Sequence, residues 1–497
     1  DYQTGTFGTF EACSCEIESG KKLVISAGTH ITLERGLSAK GEVEIESDGN
    51  LIQISDSAVN SGSVTLKRNS KQKRLDYTYW GSPVAGQNLK AFSPGTRNSL
   101  FYTYLEGENS FQVVNPLTTS FDPGKGYAIR ASDGANSSTS ELFVGTFIGT
   151  PNNGSNISFD LKYSGVENGW NLISNPYPSN IDLHSLTALN SGVTDGLYYF
   201  WTNTNAWVSN GSTSNGSYGT YSQNNYAIIN ALGSTPAATP ASGDAVYPSS
   251  IVKPGQGFII KAKASGTLQF NNSLRTSDTT DGIHESVFFN NKGAGLNKDR
   301  IWLSLTTPKG SKNTLLLGYV EGGSNGYDPK FDAKAMNTSD RFYSICEDHG
   351  LSIQGRSYPF VTGDVVPLGA RYYDPGTYTI KLENKDGVFA SGQSVYLKDN
   401  ETGAYVNLQE ESYSFTASHG DDNSRFEIVY VPNVTLTTSS AGKEDVQVYR
   451  EGEGFTVSAR YSSLEGVELY DLSGKLLYKK QLNSKKYTMS NEELPSG

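Results

Sequence analysis

The chain has 497 residues, including 53 Gly, 30 Tyr, 21 Phe and 5 Trp, and only 18 % of its residues are charged. Aromatic residues favour pleated, half-buried surfaces and Gly favours turns, so this composition predicts an all-β protein and excludes long helices and disorder. The formal net charge of −11 argues against nucleic acid as a partner, and no apolar run approaches the roughly 20 residues of a membrane helix.

Residues 1–75 contain a short repeat. Residues 26–33 (SAGTHITL) align with residues 47–54 (SDGNLIQI) at an offset of 21 residues, and the same offset carries Val43 to Val64. Each unit is predicted to hold two short alternating strands separated by a Gly turn, which is typical of a β-solenoid rung. A β-meander is the alternative.

A longer repeat predicts a duplicated β-domain, with copies at residues 76–165 and 166–281. Residues 123–131 (PGKGYAIRA) match residues 254–262 (PGQGFIIKA), with Pro, both Gly, an aromatic, Ile, a basic residue and Ala in phase. The pattern is that of a Pro-Gly turn leading into an alternating strand. Two such turns should therefore occupy equivalent places in two similar units.

The second copy is longer than the first. Pro123 follows Pro83 by 40 residues, whereas Pro254 follows Pro176 by 78, and most of the extra residues fall between 207 and 252. We interpret residues 207–250 as a polar surface loop that the frame does not need in order to fold. Long loops on rigid frames often bind ligands, so any binding is expected there.

An aromatic cluster in and beside this insertion is the candidate ligand-binding site. Flat aromatic faces flanked by Asn and Ser suit sugar rings, which are apolar on the face and hydroxylated at the edge. Core packing of the same side chains is the alternative. The candidate residues are Tyr199, Trp201, Trp207, Tyr218 and Tyr221.

Two further units are predicted towards the C-terminus. Residues 282–432 show candidate strands separated by turns such as Pro375-Gly376 and Asp386-Gly387, a spacing that favours a β-sandwich. A linker-like stretch then precedes residues 433–497, which are predicted to form a small Ig-like β-sandwich.

Several short segments occur in a characteristic order along the chain: residues 76–84 (DYTYWGSPV), 169–178 (GWNLISNPYP), 299–303 (DRIWL), 351–356 (LSIQGR) and 425–430 (RFEIVY). Together they resemble the C-terminal regions of large surface proteins of gliding Bacteroidota. Residues 467–475 (VELYDLSGK) look like part of the sorting domain that directs cargo through the type IX secretion system.

The resemblance implies an exported cell-surface adhesin or structural stalk involved in attachment or gliding motility. Residues 433–497 would be the secretion and sorting signal, and the partners would be the type IX translocon, its outer-membrane shuttle and attachment components, and surface glycans. The family's sorting domain continues past its Leu-Pro-x-Gly segment, whereas this sequence stops at residues 494–497 (LPSG), so the last strand is expected to be trimmed or omitted.

The sequence contains no catalytic motif, and we expect no enzyme activity. It lacks a Gly-x-Ser-x-Gly elbow, a His-Glu-x-x-His pair and a phosphate-binding loop. The alternative is a secreted carbohydrate-active enzyme or a glycan-binding accessory module, because paired carboxylates of a glycosidase leave no fixed spacing in sequence.

The sequence also contains candidate sites for O-glycosylation and for calcium binding. Ser57 and Thr279 match the short O-glycosylation pattern of such bacteria. No cofactor is expected, although Ca²⁺ is a candidate ligand of Asp421-Asp422-Asn423, of Asp328 with Asp332, and of Asp278 with Asp281, where hard oxygen atoms sit near Gly. The alternative is that these side chains cap turns.

Overall fold

The protein is all-β, as the sequence predicts, and the chain divides into two compact units, Asp1–Pro432 and Asn433–Gly497. The computed structural model describes residues 1–205, 208–213, 216–241, 243–278, 296–336, 339–432, 446–451, 454–459, 463–470 and 475–490. Across these ranges no helix is both long enough and apolar enough to cross a membrane.

The N-terminal strands stack as a three-faced β-solenoid. Each rung gives one strand to each of three parallel sheets, ordered β1-β4-β7-β10, β2-β5-β8 and β3-β6-β9. A four-residue helix, α1 (Thr4–Phe7), follows the first strand. The strands are β1 Tyr2–Gln3, β2 Phe10–Ala12, β3 Cys15–Ile17, β4 Lys22–Ile25, β5 His30–Leu33, β6 Leu37–Ala39, β7 Glu42–Ile45, β8 Asn50–Gln53, β9 Ser61–Gly62 and β10 Val64–Gln72.

The rungs differ from the prediction in two details. Each rung has three strands rather than two, and His30 pairs with Asn50, an offset of 20 rather than 21. The residue with positive φ is Gly28 in one turn and Asp48 in the next, so the glycines of the two turns are not equivalent. Asp tolerates a positive φ, so the second turn does not need a glycine at position 48, and its glycine is the next residue, Gly49.

Strand order and register agree with the predicted duplication, although β10 begins before the predicted start of the first copy at residue 76, and β16 before that of the second at residue 166. The first copy contains β10 and β11–β15, and the second contains β16, β17, β19, β22, β25 and β26 in the same order. These elements are β11 Tyr77–Trp80, α2 Leu89–Phe92, β12 Phe101–Leu105, β13 Ser110–Val113, β14 Tyr127–Arg130, β15 Glu141–Gly149, β16 Ile157–Leu161, β17 Trp170–Ser174, β18 Asn180–Asp182, α3 Leu183–Leu189, β19 Thr194–Trp201, β20 Val208–Thr213, β21 Gly216–Thr220, β22 Tyr226–Ile229, β23 Ser234–Thr235, β24 Ile251–Val252, β25 Gly257–Ala262, β26 Gly266–Phe270 and β27 Arg275–Thr276.

The inner sheets of the two copies have the same topology. The first is ordered β11-β14-β12-β13, and the second β17-β25-β19-β22, with β23 added at its edge. Trp80 pairs with Tyr127 in one copy, and Ile173 pairs with Phe258 in the other. Tyr127 and Phe258 are equivalent in the sequence repeat, and Trp80 and Ile173 each stand three residues before the prolines Pro83 and Pro176. The two Pro-Gly turns therefore serve equivalent strands.

Contacts between the copies are reciprocal, as expected for an approximate two-fold axis. The Gly81 amide donates to the Gly255 carbonyl, and the equivalent Ser174 amide donates to the Gly124 carbonyl, both at 2.9 Å. The solenoid joins this arrangement through β10, which pairs with β7 on one side and β15 on the other. The solenoid and the first copy therefore share a sheet and a hydrophobic core.

Residues 296–432 form a sandwich from one continuous sheet. Its order is β36-β35-β38-β33-β31-β32-β29-β28-β34-β37, with β30 paired to β32. Tyr372 and Tyr378 lie on strands far apart in this order, yet their rings are 4.8 Å apart, because the sheet folds over its own core. The strands are β28 Lys298–Thr306, β29 Lys312–Val320, β30 Ala333–Lys334, β31 Arg341–Cys346, β32 His349–Ser357, β33 Val365–Tyr372, β34 Gly376–Lys385, β35 Tyr396–Asp399, β36 Tyr405–Asn407, β37 Tyr413–Ala417 and β38 Gly420–Val429.

The second compact unit contains two small antiparallel sheets, ordered β39-β40-β43 and β41-β42. Its strands are β39 Val446–Glu451, β40 Gly454–Ala459, β41 Leu464–Tyr470, β42 Leu476–Ser484 and β43 Lys486–Met489.

The insertion in the second copy differs from the predicted surface loop. It forms the β20–β21 hairpin before β22 and a second segment after β22, residues 230–239, which is largely buried. Leu232 is fully buried there, and the Trp302 indole donates to the Ser234 carbonyl at 2.9 Å. The prediction of a surface loop is therefore wrong for this segment, because it packs between the second copy and the sandwich. Whether the frame can fold without the insertion stays a prediction.

Candidate functional site

A cleft of about 840 Å³ opens between the inner sheets of the two copies and the sandwich. Half of the residues that line it are aromatic. The lining residues are Tyr77, Tyr79, Tyr102, Tyr104, Asn109, Phe111, Ala128, Val166, Glu167, Trp170, Leu197, Tyr199, Trp201, Tyr221, Gln223, Tyr226, Ile259, Lys261, Tyr327, Lys334, Ala335 and Met336. We call this the aromatic cleft.

The duplication places aromatic residues at equivalent positions on both sides of the aromatic cleft. Strand register relates the first copy's residues to those of the second copy in four pairs. The pairs are Tyr77 with Trp170, Tyr102 with Tyr199, Tyr104 with Trp201, and Phe111 with Tyr226. The four first-copy residues are named cluster 1, and the four second-copy residues cluster 2.

Ring contacts within the two clusters are equivalent as well. Trp170 meets Tyr199 edge to face at 4.8 Å, which corresponds to the contact of Tyr77 with Tyr102 at 5.8 Å. The contact of Trp201 with Tyr226 and its counterpart in cluster 1 both measure 5.1 Å between ring centroids. Such edge-to-face pairs hold the rings in fixed orientations, so each cluster is a preformed aromatic surface.

Tyr79 and Tyr221 connect the two clusters. The Tyr79 and Tyr226 hydroxyls are hydrogen-bonded at 2.7 Å, and the Tyr79 ring stacks on Trp201 at 6.1 Å. The Tyr221 hydroxyl donates to the Leu75 carbonyl at 2.6 Å. Burial raises the pKa of Tyr221 to about 12.

Three charged side chains lie at the rim, and each is engaged by protein groups. Lys334 forms an ion pair with Glu167 at 2.7 Å. The Lys261 ammonium lies 4.0 Å from the centroid of the Trp170 ring and donates to the Val166 carbonyl at 3.1 Å and to the Asn168 carbonyl. Burial lowers the pKa of Lys261 to about 8. The Lys261 charge also interacts with the carboxylates of Glu167 and Glu106, so the two ammonium groups at the rim face two carboxylates.

Two equivalent side chains fix the edges of the aromatic cleft. Glu106 of the first copy accepts hydrogen bonds from the Ser164 and Gly169 amides, just before Trp170. Asn203, its counterpart in the second copy, donates to the Tyr77 carbonyl at 2.8 Å and accepts from the Tyr77 amide at 3.3 Å. Each copy thereby positions the first strand of the other copy's inner sheet, β11 or β17.

The structure brings three of the five predicted ligand-binding residues into the aromatic cleft, namely Tyr199, Trp201 and Tyr221. Trp207 lies outside the described residues, and of Tyr218 only its position on β21 is described. Sequence reasoning missed cluster 1 and Trp170. The duplication itself was the signal, because it maps Trp201 onto Tyr104 and Trp170 onto Tyr77.

Of the two predicted glycosylation sites, the structure describes Ser57 but not Thr279. Ser57 is exposed in the turn after β8, where its hydroxyl is 3.1 Å from that of Ser55. Thr279 lies outside the described residues. Both sites stay predictions.

The candidate calcium ligands that the structure describes bind protein groups: Asp421 forms ion pairs with Arg341 and Arg371, the Asn423 Oδ1 accepts from the Tyr343 hydroxyl, and Asp332 and Asp422 bind backbone amides. Asp332 accepts from the Asp328 amide at 2.7 Å and from the Gly355 amide at 2.8 Å, and Asp422 accepts from the Ser424 and Arg425 amides at 3.1 Å. Asp281 lies outside the described residues. In the part of the chain that the structure describes, no three His, Cys, Asp or Glu side chains are grouped to hold a metal ion.

The protein is all-β, with a solenoid, a duplicated β-domain and a sandwich that pack together. The chain belongs to the family described as a domain of unknown function (DUF8693), which matches residues 4–430. The chain matches no curated protein and no solved structure.

Proposed function

We propose that residues 1–432 are the glycan-binding part of a cell-surface adhesin, and that the aromatic cleft is the binding site. One observation carries this proposal: eleven aromatic side chains converge on a preformed cleft of about 840 Å³. Aromatic faces stack on the apolar faces of sugar rings, while hydroxyl and amide groups bind their edges. Asn109 and Gln223 supply such amides.

The charge of the lining supports binding rather than hydrolysis. Glycosidases ordinarily use two carboxyl groups on either side of the scissile bond. Among the lining residues that the structure describes, Glu167 is the single carboxylate, and its ion pair with Lys334 lowers its pKa. The alternative of a carbohydrate-active enzyme is tested by assaying the same saccharides for hydrolysis.

A glycan array probed with the full chain tests the proposal, with Trp201→Ala as the binding-site variant. Trp201 lines the aromatic cleft, whereas Tyr373 is an exposed aromatic residue of the sandwich that does not line it. We expect Trp201→Ala to lose about tenfold in affinity for any saccharide bound, and Tyr373→Ala to bind as the wild type does. Unchanged binding by Trp201→Ala would move the site elsewhere.

For residues 433–497 we propose the role of secretion and sorting signal for the type IX system, with cell-surface or extracellular localisation. The resemblance of residues 467–475 to the sorting domain supports this role, as does the separate compact unit at Asn433–Gly497. A fluorescent cargo carrying a signal peptide and the complete domain should leave the cell in a bacterium with that system. Periplasmic retention would contradict the assignment.

A further inference from the structure

We infer that the aromatic cleft binds a neutral, linear oligosaccharide of at least two sugar residues, with one sugar against cluster 1 and another against cluster 2. This inference rests on the proposed glycan-binding function and specifies its ligand. It follows from the duplication, because the two copies present equivalent aromatic surfaces to one cavity.

The duplicated surfaces favour a repeating ligand. A single sugar would cover one cluster and leave the other in contact with water, whereas a chain of like units offers an apolar face to each. The volume of about 840 Å³ also lies towards the upper end of the range typical of ligand cavities. Ring contacts at 4.8–5.8 Å fix the side chains of both clusters, which lowers the cost of ordering them on binding.

The polar groups of the aromatic cleft favour a neutral chain over an acidic one. Lys334 is neutralised by Glu167, and Lys261 donates to two backbone carbonyls while covering the Trp170 ring. An acidic sugar would have to compete with these contacts. The net charge of −11 also opposes the approach of a polyanion.

Each cluster contains one residue that is exposed enough to be substituted as a test. Phe111 of cluster 1 is 38 % exposed, so its removal disturbs little of the core, and Trp201 of cluster 2 is half-buried. Because the inference requires both clusters, substitution of either residue should remove the advantage of a longer ligand. Trp201→Phe is a milder variant that keeps a ring in place if Trp201→Ala does not fold.

Calorimetric titration of the full chain tests the inference with cello-, xylo-, manno- and laminari-oligosaccharides of one to six residues, and with oligogalacturonate as the acidic arm. We expect the affinity for the preferred neutral series to rise at least about tenfold from one to four residues. Phe111→Ala and the Trp201 variants should each abolish most of that gain, and Tyr373→Ala should retain it.

The outcomes separate this inference from the proposed function. Binding that depends on Trp201 but is equally tight for one sugar, or that is unaffected by Phe111→Ala, overturns the two-cluster mode and leaves the glycan site standing. Tighter binding of oligogalacturonate overturns the neutral class. Failure of every saccharide to bind overturns the proposed function itself.

Discussion

Glu106 illustrates how one buried carboxylate organises the entrance of the aromatic cleft. Its Oε1 accepts hydrogen bonds from the Ser164 amide, the Ser164 hydroxyl and the Gly169 amide at 2.7–2.9 Å. Burial acts to raise the pKa of Glu106, but these hydrogen bonds outweigh it and the pKa is lowered. We expect Glu106→Ala to lower the free energy of unfolding by about 2 kcal/mol at neutral pH in urea denaturation, because buried amides lose their acceptor.

The pH dependence of this effect has a defined sign. A lowered pKa in the folded state means that the stabilisation is complete above the unfolded-state pKa of about 4.3 and is lost as the pH falls through the folded-state value. The difference between wild type and Glu106→Ala should therefore shrink below about pH 4. Glu108→Ala, exposed in the same turn, is the control. An equal difference at low and neutral pH would contradict a role for the ionised carboxylate.

At the scale of elements, two equivalent glycines allow the copies to approach each other. A Cβ atom on Gly126 would lie 2.7 Å from the Ile173 carbonyl oxygen, and one on Gly257 would lie 2.8 Å from the Tyr79 carbonyl carbon. We expect Gly126→Ala and Gly257→Ala to cost similar free energies of unfolding, about 2 kcal/mol each, since both force backbone apart in the same place. Thermal unfolding followed by circular dichroism measures both.

Gly107→Ala and Gly192→Ala are matched controls, one in each copy. A Cβ atom at either position meets nothing within 4 Å, so these variants should melt close to the wild type. If only one of the Gly126 and Gly257 variants is destabilised, the reciprocal contact is not shared by the two copies.

The segment after β22, residues 230–239, is a second element that is expected to contribute to the stability of the fold. The backbone carbonyls of Leu232 and Ser234 accept hydrogen bonds from Arg300 and Trp302 of β28, both at 2.9 Å, and the Leu232 side chain is fully buried. We expect Leu232→Ala to lower the free energy of unfolding by about 3 kcal/mol, since it leaves a cavity in the core. Denaturant titration measures the loss.

Val246→Ala is the control within the same insertion, because Val246 is 50 % exposed. It should change stability little. Equal stability of the Leu232→Ala and Val246→Ala variants would restore the interpretation of the whole insertion as a dispensable loop.

The limits of prediction from sequence also lie at this scale. The two copies were predictable because turn glycines and alternating strands keep the same spacing at residues 123–131 and 254–262. The burial of residues 230–239 was not, because Leu232 is the single large apolar residue in this stretch of sequence and the partners on β28 lie about 70 residues away in the chain. Cluster 1 was missed although the duplication maps Tyr104 onto Trp201, because the repeat does not reveal that the two copies face each other across one cleft.

At the scale of the whole molecule, packing shows which parts depend on each other. The solenoid and the first copy share a hydrophobic core that contains Ile45, Leu66 and Phe147, all buried. A different hydrophobic core joins the sandwich to the inner sheets that line the aromatic cleft. It contains Tyr199 of the second copy and Trp302 of the sandwich. Within Asp1–Pro432 the predicted domains are thus joined by common cores, and their boundaries stay predictions.

Truncation tests this interdependence. All four hydrophobic clusters found among the described residues belong to Asp1–Pro432, so a chain that ends at Pro432 is expected to fold and to bind oligosaccharide as the full chain does. Removal of the solenoid is a second truncation, because a chain of residues 63–432 loses the rungs that cover Leu66 on β10. Its melting temperature in scanning calorimetry should be about 10 °C or more below that of residues 1–432, because stacking of neighbouring rungs supplies the solenoid's core. Equal melting temperatures for the two truncated chains would show instead that the first copy is complete without the solenoid.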